Sequence, residues 1–209
     1  MALLNVSNSE TFSAILSLKS KDSQKQDLER LQFELDHHGW FQFDCEPWLV
    51  VGLDVEWHPS FSRSVEYKVA ILQLCVERTC LVFQLLYADH IPNSLIDFLK
   101  NPNLKFVGVG IEEDVERLLE DHELNVLNNL DLRSLAAKRL SMPKLRSSGL
   151  KELTREVLGK EIGKPEKVTM SRWDAEWLTY DQVQYACLDA FLSFEIGKSL
   201  LQKRRRTGE

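Results

Sequence analysis

The sequence predicts an α/β protein with one mixed β-sheet and helices on its faces. Three observations support this prediction. Apolar runs of strand length occur between residues 50 and 85, and a tight turn at Glu77 joins the last two as an antiparallel hairpin. After Pro92, strand patterns alternate with helical ones, which favours parallel pairing. The final segment has the pattern of a long helix with little polar face, which indicates a buried helix.

The first half of the chain supplies most of the predicted strands. Val, Leu and Trp favour a pleated surface, so 50–57 is predicted as a strand that ends at His58-Pro59. Apolar residues predict further strands over 68–76 and 80–85. Upstream of them, leucines at helical spacing predict a short helix over 27–35.

The second half supplies most of the helices. Pro92 opens a short helix that Asn101-Pro102 ends near residue 100, and a buried strand is predicted over 105–110. A helix over 111–122 follows, with Val115, Leu118 and Leu119 expected on one apolar side. The remaining predicted elements are a short strand over 129–132 and helices over 135–140, 149–158 and 181–203.

Composition indicates one globular domain in an intracellular protein. The 209 residues include no linker-like segment, and 44% are hydrophobic and 28% charged. No apolar run approaches the ~18 residues that a membrane span needs, and Met1–Leu4 does not resemble a secretory signal. The four cysteines lack metal-site spacing, so we expect reduced thiols rather than disulfides or zinc; they are Cys45, Cys75, Cys80 and Cys187.

Charge is unevenly distributed along the chain. The net charge of −6 disfavours a polyanionic partner, yet residues 138–172 contain ten basic and four acidic side chains. This basic segment, which includes Lys144 and Arg146, is either a solvated helical face or a surface for nucleic acid.

Two acids interrupt the first predicted strand. Asp54 and Glu56 lie two residues apart, so both side chains project from the same face at a spacing of ~7 Å. Leu53, Val55 and Trp57 project from the opposite face. The pair indicates either a site for a divalent cation or the wet face of an edge strand.

Two further acids lie in positions that need explaining. Asp114 begins the helix after the 105–110 strand, where it either caps the helix or faces a ligand crevice. Asp189 lies within an apolar stretch, and an unpaired buried carboxylate is costly, so a salt bridge or a metal shared with the first strand is expected. Tyr185 lies one helical turn before Asp189 and shares its face.

These residues resemble a known enzyme family. The ordered set Asp54-x-Glu56, Asp114 and Tyr185-x-x-x-Asp189 is similar to the tyrosine branch of the DEDD superfamily, the RNase D-like 3′-5′ exonucleases. Segments 52–57, 68–75 and 107–114 resemble the exonuclease domain of Werner syndrome protein and its stand-alone relatives. The histidine branch would have His at position 184, where this chain has Gln184. The resemblance extends over about 50–201.

The resemblance implies a ribonuclease H-like fold and hydrolysis with two divalent ions, Mg²⁺ or Mn²⁺. It implies that Asp54 bridges both ions, that Glu56 and Asp189 complete the first site, and that Asp114 supports the second, through water. Tyr185 would orient the attacking water. The products would be nucleoside 5′-monophosphates. Glu113, an additional acid beside Asp114, is expected to tune the site.

The resemblance also sets expectations for substrate and partners. DNA or RNA with a free 3′ end is the expected substrate, and Trp57, His58, Lys144 and Arg146 are candidate contacts, although the core of the far face is the preferred position for Trp57. No counterpart of the Werner helicase region is present, so we expect a helicase or processing protein to act in trans. A catalytically silent adaptor with the same fold is the alternative.

The expected organisation has three parts. Residues 1–46 form an extension beside the domain, 47–203 form the exonuclease domain, and 204–209 form a basic tail. The tail, with Arg204, Arg205 and Arg206, is either a frayed helix end or a signal or phosphate contact, and the expected location is the nucleus, the cytoplasm or both. Trp173 is expected to be structural.

Overall fold

The computed structural model describes residues 2–6, 10–17, 41–43, 46–60, 66–163 and 166–202. The predicted helix over 27–35, Cys45 and the tail over 204–209 lie outside these residues. The strands are β1 (Ala2–Val6), β2 (Glu10–Ser17), β3 (Phe41–Phe43), β4 (Glu46–Trp57), β5 (Val69–Val76), β6 (Thr79–Gln84), β7 (Leu104–Gly108) and β8 (Asn129–Asp131). The helices are α1 (Asn93–Leu99), α2 (Ile111–His122), α3 (Leu132–Arg139), α4 (Leu150–Leu153), α5 (Glu166–Thr169) and α6 (Tyr180–Leu201).

Shorter helical turns complete the chain. Segments Leu85–Tyr87 and Pro143–Ser147 are 3₁₀-helices, and α4 continues as a π-helical turn over Thr154–Leu158. This last pair of segments corresponds to the single helix predicted over 149–158. Among the residues that the structure describes, no helix combines the length and apolar character required to cross a bilayer.

The sheet is mixed, as the sequence predicts. Its order is β1-β2-β6-β5-β4-β7-β8, with β3 paired to β4. Strands β4, β5 and β6 are antiparallel, including the predicted hairpin, whereas β4, β7 and β8 are parallel. Strand β4 is therefore central, and the alternative of an edge strand with a wet face is wrong, because β5 and β7 flank β4 on its two sides.

The two sides of β4 are paired over different lengths. Strand β5 pairs with Gly52–Trp57, whereas β7 pairs only with Leu49–Gly52. Beyond Gly52 the chain that follows β7 turns away into α2. The acids of β4 consequently lie at its carboxyl end, beside the opening between two parallel strands where α/β sheets bind ligands.

Each face of the sheet has its own apolar core. One core joins Val51, Leu53 and Val55 of β4 to residues of α1 and α2. The other joins Val50 and its neighbours on β5 and β7 to α6. Because side chains alternate along a strand, Asp54 and Glu56 lie on the α6 face.

Helix α6 is buried along most of its length, as its sequence predicts. It begins with a capping box, in which the side chains of Thr179 and Gln182 each accept a hydrogen bond from the other residue's backbone N–H. Gly52 lets this helix approach β4 closely. A Cβ atom at Gly52 would overlap the carbonyl oxygen of Ala190 and lie 2.7 Å from the backbone nitrogen of Phe194.

Two local predictions need correction. Leu119 is 51% exposed, because the buried stripe of α2 runs through Ile111, the half-buried Val115, and Leu118. Position 119 lies about 100° around the helix from 118. Helix α3 begins at Leu132 rather than 135, because the Asp131 carboxylate accepts hydrogen bonds from the backbone of its first turn.

The cysteines and Trp173 match their predictions within the described residues. Cys75, Cys80 and Cys187 are buried free thiols. The Cys80 thiol lies 3.4 Å from the carbonyl oxygen of Cys187, to which it donates. Trp173 is buried in the core on the α6 face.

The close approach at Gly52 generates a test of the packing. We expect Gly52→Ala to lower the free energy of unfolding by about 1–3 kcal/mol or more, because the added methyl group forces α6 away from β4. Thermal or urea unfolding measures the loss. Gly149→Ala is the matched control, since a Cβ there meets no atom within 4 Å. Equal stability of the two variants would contradict the inferred close packing.

Candidate active site

Three carboxylates converge where β4 meets α6. Asp54 and Glu56 are half-buried on β4, and Asp189 is 3% exposed on α6. One carboxylate oxygen from each residue lies within 4.8 Å of the other two. The structure therefore brings together three of the predicted site residues, from positions 135 residues apart in the chain.

Like charges at this separation repel, and burial of Asp189 increases the cost of ionising the group. A divalent cation removes that cost, and carboxylate oxygens are the ligands that Mg²⁺ and Mn²⁺ prefer. The chemistry of the three side chains thus fits a divalent metal centre.

Asp114 contributes a fourth carboxylate from α2. It occupies the first turn of that helix and is buried, and its Oδ2 accepts no hydrogen bond within the described part of the chain. Burial, followed by the negative charge of Glu113, raises the pKa of Asp114 to about 7, and Arg133 and Arg117 counteract part of this rise. Asp114 is not a member of the group of three within 4.8 Å.

Tyr185 lies on α6 one turn before Asp189. Its side chain is buried, and its ring packs against Trp173 with the ring centroids 5.9 Å apart. The hydroxyl of Thr169 donates a hydrogen bond to the phenolic oxygen at 3.2 Å. Helix α5, which carries Thr169, therefore helps to fix the position of the phenol.

The sequence reasoning missed the role of Asp131 and Arg133. Asp131 ends β8 and is buried, and it accepts a hydrogen bond from the backbone of Gly110 at 3.0 Å. Gly110, with a φ of 80°, precedes α2. The Arg133 guanidinium lies 2.6 Å from Oδ2 of Asp131. This network fixes the start of the helix that presents Asp114. In the sequence, the only feature that could have indicated the role of Asp131 is its position as an acid at a strand-to-helix junction.

The ionisation of Asp131 follows from its contacts. Burial alone would raise the pKa of this carboxyl, but the hydrogen bonds from Arg133 and Glu112, together with the charge of Arg133, hold the pKa below its ordinary value. Asp131 and Asp114 are thus two buried acids with opposite pKa shifts. The difference arises because Arg133 binds one of them directly.

Gln73 is a second residue that sequence reasoning missed. It is paired with Asp54 in the register of β4 and β5, so the two side chains share one face of the sheet. Gln73 is fully buried, and neither end of its amide forms a hydrogen bond within the described residues. The polar floor of the site therefore extends from β4 to β5.

The predicted substrate contacts lie in different surroundings. Trp57 packs on the far side of the sheet, where the Arg117 guanidinium lies 4.2 Å from its ring centroid. The His58 ring packs against Tyr67 at a tilt of 39° with centroids 4.5 Å apart, and its Nε2 is 4.0 Å from Asp174. A contact between His58 and a substrate stays a prediction.

The two basic candidates lie on the 3₁₀-helix Pro143–Ser147. Both side chains are exposed. The Lys144 ammonium is 3.8 Å from Glu156, and Arg146 shows no ion pair within the described residues. Neither one is brought into contact with the acidic cluster, so their role in binding stays a prediction.

The sequence profile of the 3′-5′ exonuclease family matches residues 23–204. This chain belongs to that family. A 3′-5′ exonuclease of Arabidopsis thaliana is 34% identical over 151 residues, which cover 72% of this chain and 52% of the relative. The bifunctional 3′-5′ exonuclease/ATP-dependent helicase WRN of Mus musculus is 35% identical over 152 residues, which cover 72% of this chain and 11% of that protein.

A solved structure supports the same assignment. The EXD2 exonuclease domain, in a crystal soaked in Mn and GMP, is 30% identical and superposes with a TM-score of 0.50 over 90% of this chain and 89% of that domain. The chain spans about half the length of its Arabidopsis relative. The resemblance to the Werner exonuclease domain and its relatives is therefore confirmed, as is the α/β nuclease fold.

The raised pKa of Asp114 predicts a pH dependence of stability in the metal-free exonuclease. Between 3.8 and about 7 the folded state retains a proton on Asp114 that the unfolded state releases, so this residue lowers stability as pH rises. Denaturant unfolding in EDTA of wild type and Asp114→Asn measures the effect. We expect the variant to gain stability relative to wild type across that interval and to hold the gain above it.

A stability difference between these two proteins that is independent of pH would contradict the prediction. Glu120→Asn is a suitable control, because its carboxylate lies exposed on the same helix. We expect no comparable gain for it.

Proposed function

We propose that this chain is a metal-dependent 3′-5′ exonuclease that hydrolyses nucleic acid from the 3′ end with two divalent ions. The observation that carries the proposal is the convergence of Asp54, Glu56 and Asp189 at the carboxyl end of β4, with oxygens within 4.8 Å of one another. Membership of the exonuclease family supports the reaction class.

The donor set suggests how the ions are held. Asp54 would help to hold both ions, and Glu56 and Asp189 would help to hold one of them. Asp114, which lies outside the group of three, would support the second ion through water. Mg²⁺ or Mn²⁺ bound here would lower the pKa of a coordinated water and stabilise the charge on the leaving 3′ oxygen.

Tyr185 would orient the attacking water by hydrogen bonding. A phenol both donates and accepts hydrogen bonds, so it can position a water molecule without removing a proton from it. The hydrogen bond from Thr169 and the packing on Trp173 hold the phenolic oxygen in place. A fixed orientation at this position reduces the entropy lost in reaching the reactive geometry.

The substrate and products follow from the same assignment. The expected substrate is DNA or RNA with an accessible 3′ end, and the product released at each step is a nucleoside 5′-monophosphate. The EXD2 exonuclease domain, whose crystals were soaked in Mn and GMP, supports this choice of ion and product class. We propose that a helicase or processing protein in trans opens duplex substrates, inside the nucleus or cytoplasm.

Digestion of a 3′-labelled oligonucleotide tests the proposal. We expect wild type to release mononucleotides with Mg²⁺ or Mn²⁺ and to stop in EDTA. Asp54→Ala and Asp189→Asn should lose activity by more than ~10²-fold, the effect of removing a single electrostatic contact from an active site. Circular dichroism checks that both variants are folded.

Asp97→Asn is the matched control, because this exposed carboxylate lies on α1, on the opposite face of the sheet. It should retain wild-type activity. Full activity in Asp189→Asn would rule out the assigned metal site. Wild-type protein that binds oligonucleotides but releases no mononucleotide with either ion would instead support a silent adaptor.

A further inference from the structure

Exposed apolar side chains are concentrated in the segment that leads into α6, the helix of Tyr185 and Asp189. Within the described residues, four large apolar side chains are more than half exposed, and three of them lie between positions 170 and 180. They are Met170 at 53%, Trp177 at 67% and Tyr180 at 56% exposed. We call the two aromatic members, Trp177 and Tyr180, the aromatic platform. Large apolar side chains that are exposed close together can mark a binding surface.

The loop that presents the platform is held firmly. Trp173 is buried within it, and the indole nitrogen donates to the carbonyl of Thr169 at 3.2 Å. The Gln182 amide donates to the hydroxyl of Ser171 at 3.0 Å and to the carbonyl of Arg172 at 3.1 Å. The exposed rings therefore project from a fixed backbone, which reduces the entropy that binding must overcome.

Contacts from the sheet secure the other end of the loop. The Gln84 amide donates to the carbonyls of Ala175 and Glu176, both at 3.3 Å. The Tyr87 hydroxyl donates to the carbonyl of Asp174 at 2.7 Å. These bonds hold the segment that leads directly into Trp177.

An open cavity of about 390 Å³ lies beside Trp177. Trp177 lines it, together with the cationic side chains of Lys167 and Arg172 and the carboxylate of Asp181. The volume falls within the ~300–1,000 Å³ of small-ligand sites and suits a base or a sugar. Arg172 is paired with Asp174 at 3.2 Å, so Lys167 is the cation better placed to meet a phosphate.

Two contacts attach the loop that carries the platform to the elements of the acidic site. Thr169, the residue before Met170, donates its hydroxyl to the Tyr185 phenol. Asp174, within the same loop, lies 4.0 Å from His58, which directly follows β4. The loop is therefore joined both to the helix of Asp189 and to the end of the strand that carries Asp54 and Glu56.

We infer that the aromatic platform binds the single-stranded part of a polynucleotide, upstream of its 3′-terminal residue, by stacking bases on Trp177 and Tyr180. The inference rests on the proposed function. Stacking tolerates any sequence, because every base has a π face, and a nearby cation contacts the backbone. Such binding suits an enzyme that must advance along a strand regardless of sequence.

The test separates binding from hydrolysis. Asp189→Asn provides a protein that binds without turnover, and fluorescence anisotropy measures its affinity for oligothymidylate and oligouridylate about a dozen nucleotides long. Adding Trp177→Ala and Tyr180→Ala should weaken binding by about tenfold or more. Phenylalanine at both positions keeps the rings and should restore most of the affinity. Leu127→Ala, at another exposed apolar residue, should leave it unchanged.

A second measurement uses the otherwise wild-type enzyme. The double alanine variant should raise KM for the long substrate and keep kcat, while its turnover of a dinucleotide, which is too short to reach the platform, stays at the wild-type value. Unfolding temperatures confirm that each variant is folded. Unchanged affinity and unchanged KM in the folded alanine variant would overturn the inference, and so would an equal loss in Leu127→Ala.

The two proposals fail in different ways. If wild type hydrolyses neither the long substrate nor the dinucleotide, the proposed function is wrong, and the anisotropy measurement still tests the platform. If hydrolysis is normal and binding does not depend on the rings, only the platform is wrong. That second result would favour a protein partner for the exposed rings.

Discussion

The contact between the backbones of β4 and α6 at Gly52 is the constraint on which the rest of the site depends. Because Gly52 has no Cβ, the carbonyl of Ala190 can lie directly against β4. Asp189 precedes Ala190, and Asp54 is two residues beyond Gly52 on the same face of the strand. The distance between the acids of β4 and the acid of α6 is therefore set by backbone packing rather than by attraction between the side chains, which are alike in charge.

The packed sheet and helix supply the stability that the site itself lacks. Two apolar cores enclose the strands, and a capping box and buried side chains fix α6. Against this framework the chain holds three adjacent carboxylates and a fourth, Asp114, whose pKa is raised to about 7 by burial. A cluster of like charges opposes folding and persists only where the surrounding structure holds it in place. Such clusters are typical of functional sites.

The parts of this arrangement that depend on local pattern could be predicted from the sequence. Apolar runs of strand length predict the strands and the hairpin, and helical spacing predicts α2 at its observed bounds. The two-residue repeat of a strand predicts that the side chains of Asp54 and Glu56 lie on the same face. Segment 50–57 alone, however, does not exclude an edge strand with a solvated face. The central position of β4 depends on its pairing with β7, which is distant in sequence. Leu119 was misplaced because adjacent leucines cannot both face the core of a helix with one buried stripe.

Contacts between distant segments could not be predicted, and they account for the residues that were missed. Three such contacts join elements that are far apart in the sequence. They are the hydrogen bond from Thr169 to Tyr185, the pairing of Gln73 with Asp54 and the hydrogen bond from Gly110 to Asp131. Gln182 shows what such contacts achieve, because one side chain caps α6 and also fixes the loop at Arg172. The start of the helix that carries Tyr185 and Asp189 and the backbone that presents Trp177 are therefore set by the same residue. A displacement of this loop would therefore alter the position of the Tyr185 phenol as well as that of the exposed rings, so the phenol and the rings form a single mechanical unit.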